Sequence, residues 1–154
     1  MTRNFATGLC YARALPLLLL LCSPGSALAT CYEQAATRYQ VNAQLLKAIA
    51  KVESSENPNA ININRQFKSY NEDIGLMQIN SRWLPELRSY GIQREHLFDA
   101  CVNANIGAWI LAKQIQTHGN TWKAVGAYHS ATPALNQKYA QRVYSQLKKD
   151  GVLQ

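Results

Sequence analysis

Glu53 occupies a position where a core residue belongs. In "LLKAIAKVESSENP", residues 45–58, an apolar stripe runs through Leu46, Ile49 and Ala50, and the next position on that face, at i+7 from Leu46, is Glu53. A carboxyl held against apolar side chains resists ionisation, so its pKa rises and it stays protonated near neutral pH. Glycosidic cleavage needs such a group, because the leaving sugar oxygen must receive a proton as its bond breaks. Periodicity alone slightly favours a plainer reading, a boundary residue whose head reaches water. Glu56 competes on the same grounds. Two further acids, Glu72 and Asp73, stand just before "IGLMQ". Asp73 is the better placed to serve as a second carboxylate that orients a water, or else to cap the turn into Gly75. The three histidines, His96, His118 and His129, have no spacing that brings two onto one helix face, so no metal site is expected.

The elements that must position these groups begin after a leader. Residues 1–29 carry Arg3 and Arg13 ahead of an apolar run from 14 to 22, and end in Ala27-Leu28-Ala29. That pattern predicts a secretory signal peptide cut after Ala29, with the apolar run too short to span a bilayer. Leu21 before Cys22 argues against lipid attachment, which favours a small residue there. Residues 30–154 are then one domain by length. The chain has 16 basic and 9 acidic residues; with the two leader arginines gone the balance is about +5. A modest positive surface suits an anionic polymer such as cell wall. Nucleic acid is not expected, since the basic residues are scattered and export separates the chain from it. Cys31 and Cys101 remain, and an even count in an oxidising compartment reads as one disulfide. Closing that loop contributes about 4 kcal/mol in the chain-entropy model.

The pattern is mostly helical. A short helix is expected over 32–39, and a longer one capped by Asn42 and stopped at Asn57-Pro58. Residues 57–74 are polar and turn-rich, with "INI" at 61–63 as a short strand candidate; so long an irregular segment in a small domain is often functional. Residues 81–90 read as a helix that tolerates Pro85 in its first turn and ends at Gly91. The strongest periodicity lies in 99–119, capped by Asp99 and ended by Gly119, with Cys101, Asn105, Ala108, Ala112 and Ile115 along one face. Helices over 122–128 and 136–149 follow, offering Val125, Tyr128, Tyr139, Val143 and Leu147 to the core.

Four motifs, "KVESSENPNA", "GLMQINSRW", "NANIGAWIL" and "AVGAYHSAT", occur in the order and rough spacing of the lysozyme-like lytic transglycosylases. The sequence resembles the small members of that family that accompany bacterial secretion, conjugation and pilus machines. The resemblance covers roughly residues 31–145, and "GLMQIN" after an upstream "ES" is its most specific part. It implies a mainly α, lysozyme-like (goose-type) single domain with a helical core and a short irregular or β-containing insertion. It also implies that Glu53, the acid of the Glu-Ser pair, is the catalytic acid and base, which reduces Glu56 to a minor candidate. Glu53 would protonate the oxygen between N-acetylmuramic acid and N-acetylglucosamine. It would then take the proton of the muramic 6-hydroxyl as that oxygen closes a 1,6-anhydro ring.

By the same resemblance Ser54 and residues 75–79 lie along the cleft. Gly75 would admit the sugar closely, Leu76 and Met77 would form an apolar wall, and Gln78 would meet amide and hydroxyl groups. Ile79 is expected in the core and Asn80 in the turn. Asn105 would sit below the catalytic floor, fixing loop carbonyls. Tyr128 would bond the substrate or Glu53, with a core tyrosine as the alternative. His129 departs from the Asn usual in the family, and either replaces its polar contact or tolerates exposure. No cofactor is expected, and the expected partners are peptidoglycan glycan strands and an envelope-spanning machine. The site of action would be the periplasm of a Gram-negative bacterium, with no stable membrane insertion after cleavage. A hydrolytic muramidase using Asp73 and water is the nearest rival. A non-catalytic wall-binding module is another, and an antibacterial effector or phage-type lysin a third.

Overall fold

The computed structural model describes residues 24–64 and 71–154; most of the expected leader lies outside these. Helix α1 (Pro24–Tyr39) is longer than the sequence suggests, because residues 24–31 continue the turn and cross the expected cleavage point without a break. Helix α2 (Ala43–Ser54) starts where the Asn42 side chain accepts the Leu45 N–H at 3.0 Å. It ends two residues before the expected Glu56, as Ser55 and Glu56 both turn left-handed, with φ of 56° and 64°. Strands β1 (Ile61–Asn64), β2 (Asn71–Ile74) and β3 (Ile79–Asn80) form an antiparallel sheet in sequence order, with Asn62 opposite Asp73 and Asp73 opposite Asn80. The polar insertion is therefore a small sheet on an otherwise helical body.

The single helix expected over 81–90 divides into a 3-10 turn, Ser81–Trp83, and a short α3 (Leu84–Arg88) with Pro85 in its first turn. A second 3-10 turn, Arg94–Phe98, leads to α4 (Ala100–His118), capped by Asp99, whose carboxylate accepts the Val102 N–H at 2.8 Å. Helices α5 (Trp122–His129) and α6 (Pro133–Lys149) close the bundle. The core gathers α1, α2, α4 and α6 around Leu46, Ile49, Leu111, Tyr139 and Val143, with Ile74, Leu76, Met77 and Ile79 entering it from the sheet side. The Cys31–Cys101 disulfide spans 70 residues and fastens α1 to the first turn of α4.

The structure corrects one expected anchor. Asn103, not Asn105, supports the segment after β2. Asn103 is fully buried, and its side chain accepts the Met77 N–H at 2.8 Å while its Nδ2 donates to the carbonyls of Ile74 at 2.9 Å and Leu97 at 2.7 Å. Asn105, two residues on, bonds among the described residues back along its own helix, to the Cys101 carbonyl at 2.9 Å. Gly75 is explained by the same contact: at φ 78° a Cβ there would run into the Leu97 carbonyl and the Asn103 amide. Close packing of protein on protein, not approach of a sugar, requires this glycine.

Asn103→Leu should leave two carbonyls and one N–H buried without partners and cost at least about 3 kcal/mol in urea unfolding. Asn105→Ala should cost under about 1 kcal/mol. Equal costs would contradict the assignment of the anchor to Asn103.

Candidate active site

The last turn of α2 delivers Glu53 to a cleft of about 500 Å³ between the sheet and the C-terminal helices. Asp73, Asn62 and Asn71 line the sheet wall, Tyr128, His129 and Arg142 the helical wall, and Trp83 one end. Glu53 is half-buried and keeps a face on this cleft. Its Oε1 accepts a hydrogen bond of 2.6 Å from the Tyr139 hydroxyl. Burial pushes the Glu53 carboxyl from an ordinary 4.5 up to about 7, opposed by the Tyr139 bond and the Arg142 charge and assisted by the charge of Asp73. The acid is thus poised where it can be proton donor or proton acceptor near neutral pH.

Tyr139 is the site residue that the sequence reading assigned to the core. It is both: 2% exposed within α6, and the direct partner of Glu53. Burial first, then the neighbouring Glu53, holds its phenol well above the usual range, so it remains a donor at any working pH. Its ring lies in a stack, nearly parallel to His129 at 4.8 Å between centroids and offset from Tyr128 at 6.4 Å. Burial and the Arg142 charge lower the His129 pKa, so His129 faces the cleft as a neutral imidazole. Arg142, also missed in the sequence, lies one turn beyond Tyr139 and donates to the Val52 carbonyl at 3.0 Å. Its i+3 spacing from Tyr139 is the signal that would have paired them.

The "GLMQ" segment is differently disposed from the expectation. Leu76 and Met77 are fully buried, Gly75 is buried, and none of these nor Ser54 lines the cleft. The Ser54 hydroxyl instead donates to the Leu76 carbonyl at 2.6 Å, and Tyr128 donates to the Met77 carbonyl at 2.9 Å, not to Glu53. Gln78 does line the cleft, with its amide nitrogen donating to the carbonyls of Gly75 at 3.0 Å and Ala60 at 3.3 Å. The physical reason is the turn itself. Residues 75–78 make no ladder bonds, so neighbouring side chains must satisfy their buried backbone groups.

Asp73 lies on the sheet wall of the same cleft, and Asn80 Nδ2 donates to its Oδ1 at 2.7 Å while the Asn80 Oδ1 accepts the Arg82 N–H. Glu72 points the other way, 2% exposed, and is gripped by Arg94 through both oxygens at 2.6 and 2.8 Å. Glu56 accepts from the Tyr32 hydroxyl at 3.2 Å and is outside the cleft lining. Of the four acids weighed, the fold brings two, Glu53 and Asp73, to one cavity. Among the described residues no cluster of His, Cys, Asp and Glu fits a metal ion, and no helix is long and apolar enough to cross a membrane.

Residues 30–150 match the model of the Transglycosylase SLT domain family. Invasion protein IagB of Salmonella typhimurium is 35% identical over 138 residues, covering 86% of this chain and 84% of the relative. Protein IpgF of Shigella flexneri is 36% identical over 132 residues, with 82% and 85% covered. The X polypeptide of Escherichia coli is 41% identical over 123 residues, with 75% and 71% covered. The family model and these relatives show that this chain belongs to the transglycosylase SLT domain family, lysozyme-like proteins whose substrate is peptidoglycan.

Proposed function

We propose that this protein is a peptidoglycan lytic transglycosylase in which Glu53 is the sole acid and base. The observation that carries this reading is one carboxyl, raised to about 7, held by an unionised phenol at the floor of an open cleft. Protonated Glu53 gives its proton to the oxygen leaving N-acetylmuramic acid as the bond from that oxygen to C1 breaks. The muramic O6 then bonds to C1, and its proton passes to the Glu53 carboxylate, so the acid is regenerated and no water is consumed. Tyr139 orients the carboxyl through both steps and stabilises its charged form in between. Asp73, on the sheet wall of the same cleft, suits the positive charge that develops at C1. Arg142 and neutral His129 are suited to the anionic and amide groups of the strand.

The setting follows from the same reading. The leader over 1–29 carries the chain out of the cytoplasm and is cut after Ala29, and the disulfide suits the oxidising periplasm of a Gram-negative bacterium. Opening the wall locally for an envelope-spanning secretion, conjugation or pilus apparatus fits a small domain with a relative named as an invasion protein.

Mass spectrometry of the sugars released from peptidoglycan tests the reaction. Disaccharide peptides one water lighter than the reducing form are expected, and none from Glu53→Gln. Reducing ends would make the protein a muramidase and promote Asp73 to orienting water; no release would leave a wall-binding module.

The pH profile tests the acid. kcat/KM should fall about tenfold per pH unit above about 7, as the proton needed for the first step is lost. Tyr139→Phe removes a bond that favours the carboxylate and should move this limb to higher pH. Asp73→Asn removes a like charge and should move it lower. Shifts in the opposite sense would assign the limb to another group.

Stability carries the same signature. Because the folded pKa of Glu53 lies above its unfolded value, its contribution is fully present below about 4.5 and is lost as pH rises through about 7. Glu53→Gln should gain roughly 3 kcal/mol over the wild type across that window and nothing further above it. A constant difference at all pH values would mean that Glu53 is not held protonated.

A further inference from the structure

A second groove, of about 380 Å³, lies between the C-terminal end of α1, α3 and α4. Three aromatic rings, Tyr39, Tyr90 and Trp109, line it with Arg38 at its rim. Tyr90 is 70% exposed, so its ring is open to a ligand in the groove. The groove neighbours the catalytic cleft, parted from it by one pair of packed rings. Trp83 lines the cleft, Trp109 lines the groove, and the two rings meet edge to face at 5.1 Å between centroids. Lys113 fixes that ridge, its ammonium 5.2 Å from the Trp83 ring and 4.2 Å from the Trp109 ring, and is itself held by Glu86 at 3.0 Å.

The disulfide aligns the two long walls. From Cys31 to Tyr39 along α1, and from Cys101 to Trp109 along α4, the count is the same eight residues, about 12 Å of helix. The two helices therefore leave the covalent tie side by side and present their aromatics to one groove.

We infer that the groove is a second glycan-binding site, which takes N-acetylated sugars of the same strand distant from the bond at Glu53. This rests on the peptidoglycan reading of the cleft. The C–H faces of hexopyranose rings stack on exposed aromatics, and tyrosine hydroxyls and an arginine supply the polar contacts that orient their acetamido and hydroxyl groups. A polymer that crosses this ridge and is bound at two neighbouring sites is held more tightly than one bound at either, because the second contact is intramolecular. The groove thus selects long strands over short fragments and releases the products of complete digestion.

The test uses the Glu53→Gln protein, which binds without cutting, and peptide-free peptidoglycan glycan strands sorted by length, with affinity read by calorimetry. Long strands should bind more tightly than a tetrasaccharide. Tyr90→Ala and, separately, Arg38→Ala, both on exposed side chains, should weaken the long strands by three- to tenfold and leave the tetrasaccharide unchanged. In the active protein the same variants should raise KM on long strands by that factor with kcat unaltered. Unchanged affinity for long strands, or an equal loss at both lengths, overturns the groove assignment while the cleft reading stands. No binding of either length by the parent protein overturns the cleft reading, and the groove assignment falls with it.

Discussion

The turn at residues 74–78 is the constraint on which the rest of the site depends. Residues 74–77 are buried, and beyond Ile74 the turn makes no ladder bonds to satisfy its backbone. Three helices and the loop before β1 do so instead: Asn103 of α4 takes the Ile74 carbonyl and the Met77 N–H, Ser54 of α2 the Leu76 carbonyl, Tyr128 of α5 the Met77 carbonyl, and the Ala60 carbonyl accepts the Gly75 N–H at 2.7 Å. An unpaired buried group costs about 1–3 kcal/mol, so each bond ties its element to the same point. The relative positions of α2, which carries Glu53, of α5, which carries His129, and of β2, which carries Asp73, are set by this one segment.

Such a turn accounts for residue choices that look like site chemistry in the sequence. Gly75 packs beneath a carbonyl and an amide, and Gly107 of α4 leaves room for Met77, whose sulfur a methyl at 107 would strike. Met77 and Leu76 are the apolar plug that keeps water from the turn. The motif "GLMQ" is therefore largely the support of the cleft, with Gln78, at a φ of 49°, as its part that reaches the wall. A left-handed non-glycine residue there costs of order 1 kcal/mol, offset by the two bonds of its amide.

The helical body was legible because its signals are local. Asn42, Asp99 and Gly119 mark helix ends by their own chemistry, and Glu53 breaks an apolar stripe that has only one helix face to occupy. What was not legible depends on contacts distant in sequence or on faces without contrast. Tyr139 meets Glu53 across 86 residues, and a tyrosine at core spacing carries no mark that its hydroxyl is in use. Helix α4 is apolar on nearly every side, so Asn103 and Asn105 could not be ordered by periodicity; anchoring the face on Cys101 selected the wrong one. The insertion was recognised as irregular, but register across β1 and β2 follows from pairing, which composition does not encode.

The two carboxylates of the cleft are held differently, which bears on the proposed single-acid mechanism. If both were to act, as in a hydrolase, each would need its own solvation and a water between them. Here Asp73 has one oxygen engaged by Asn80, which is itself fixed by the Arg82 N–H at 3.0 Å, so its orientation is set by β3. Its charge acts at a distance, raising Glu53 and opposing the loss of the proton that the first step requires. Arg142 and Tyr139 pull the other way, keeping the carboxylate accessible once that proton has gone. A value near 7 is the balance between these groups. Burial alone would leave an acid too weak to give up its proton, and the partners alone would leave a carboxylate with none to give.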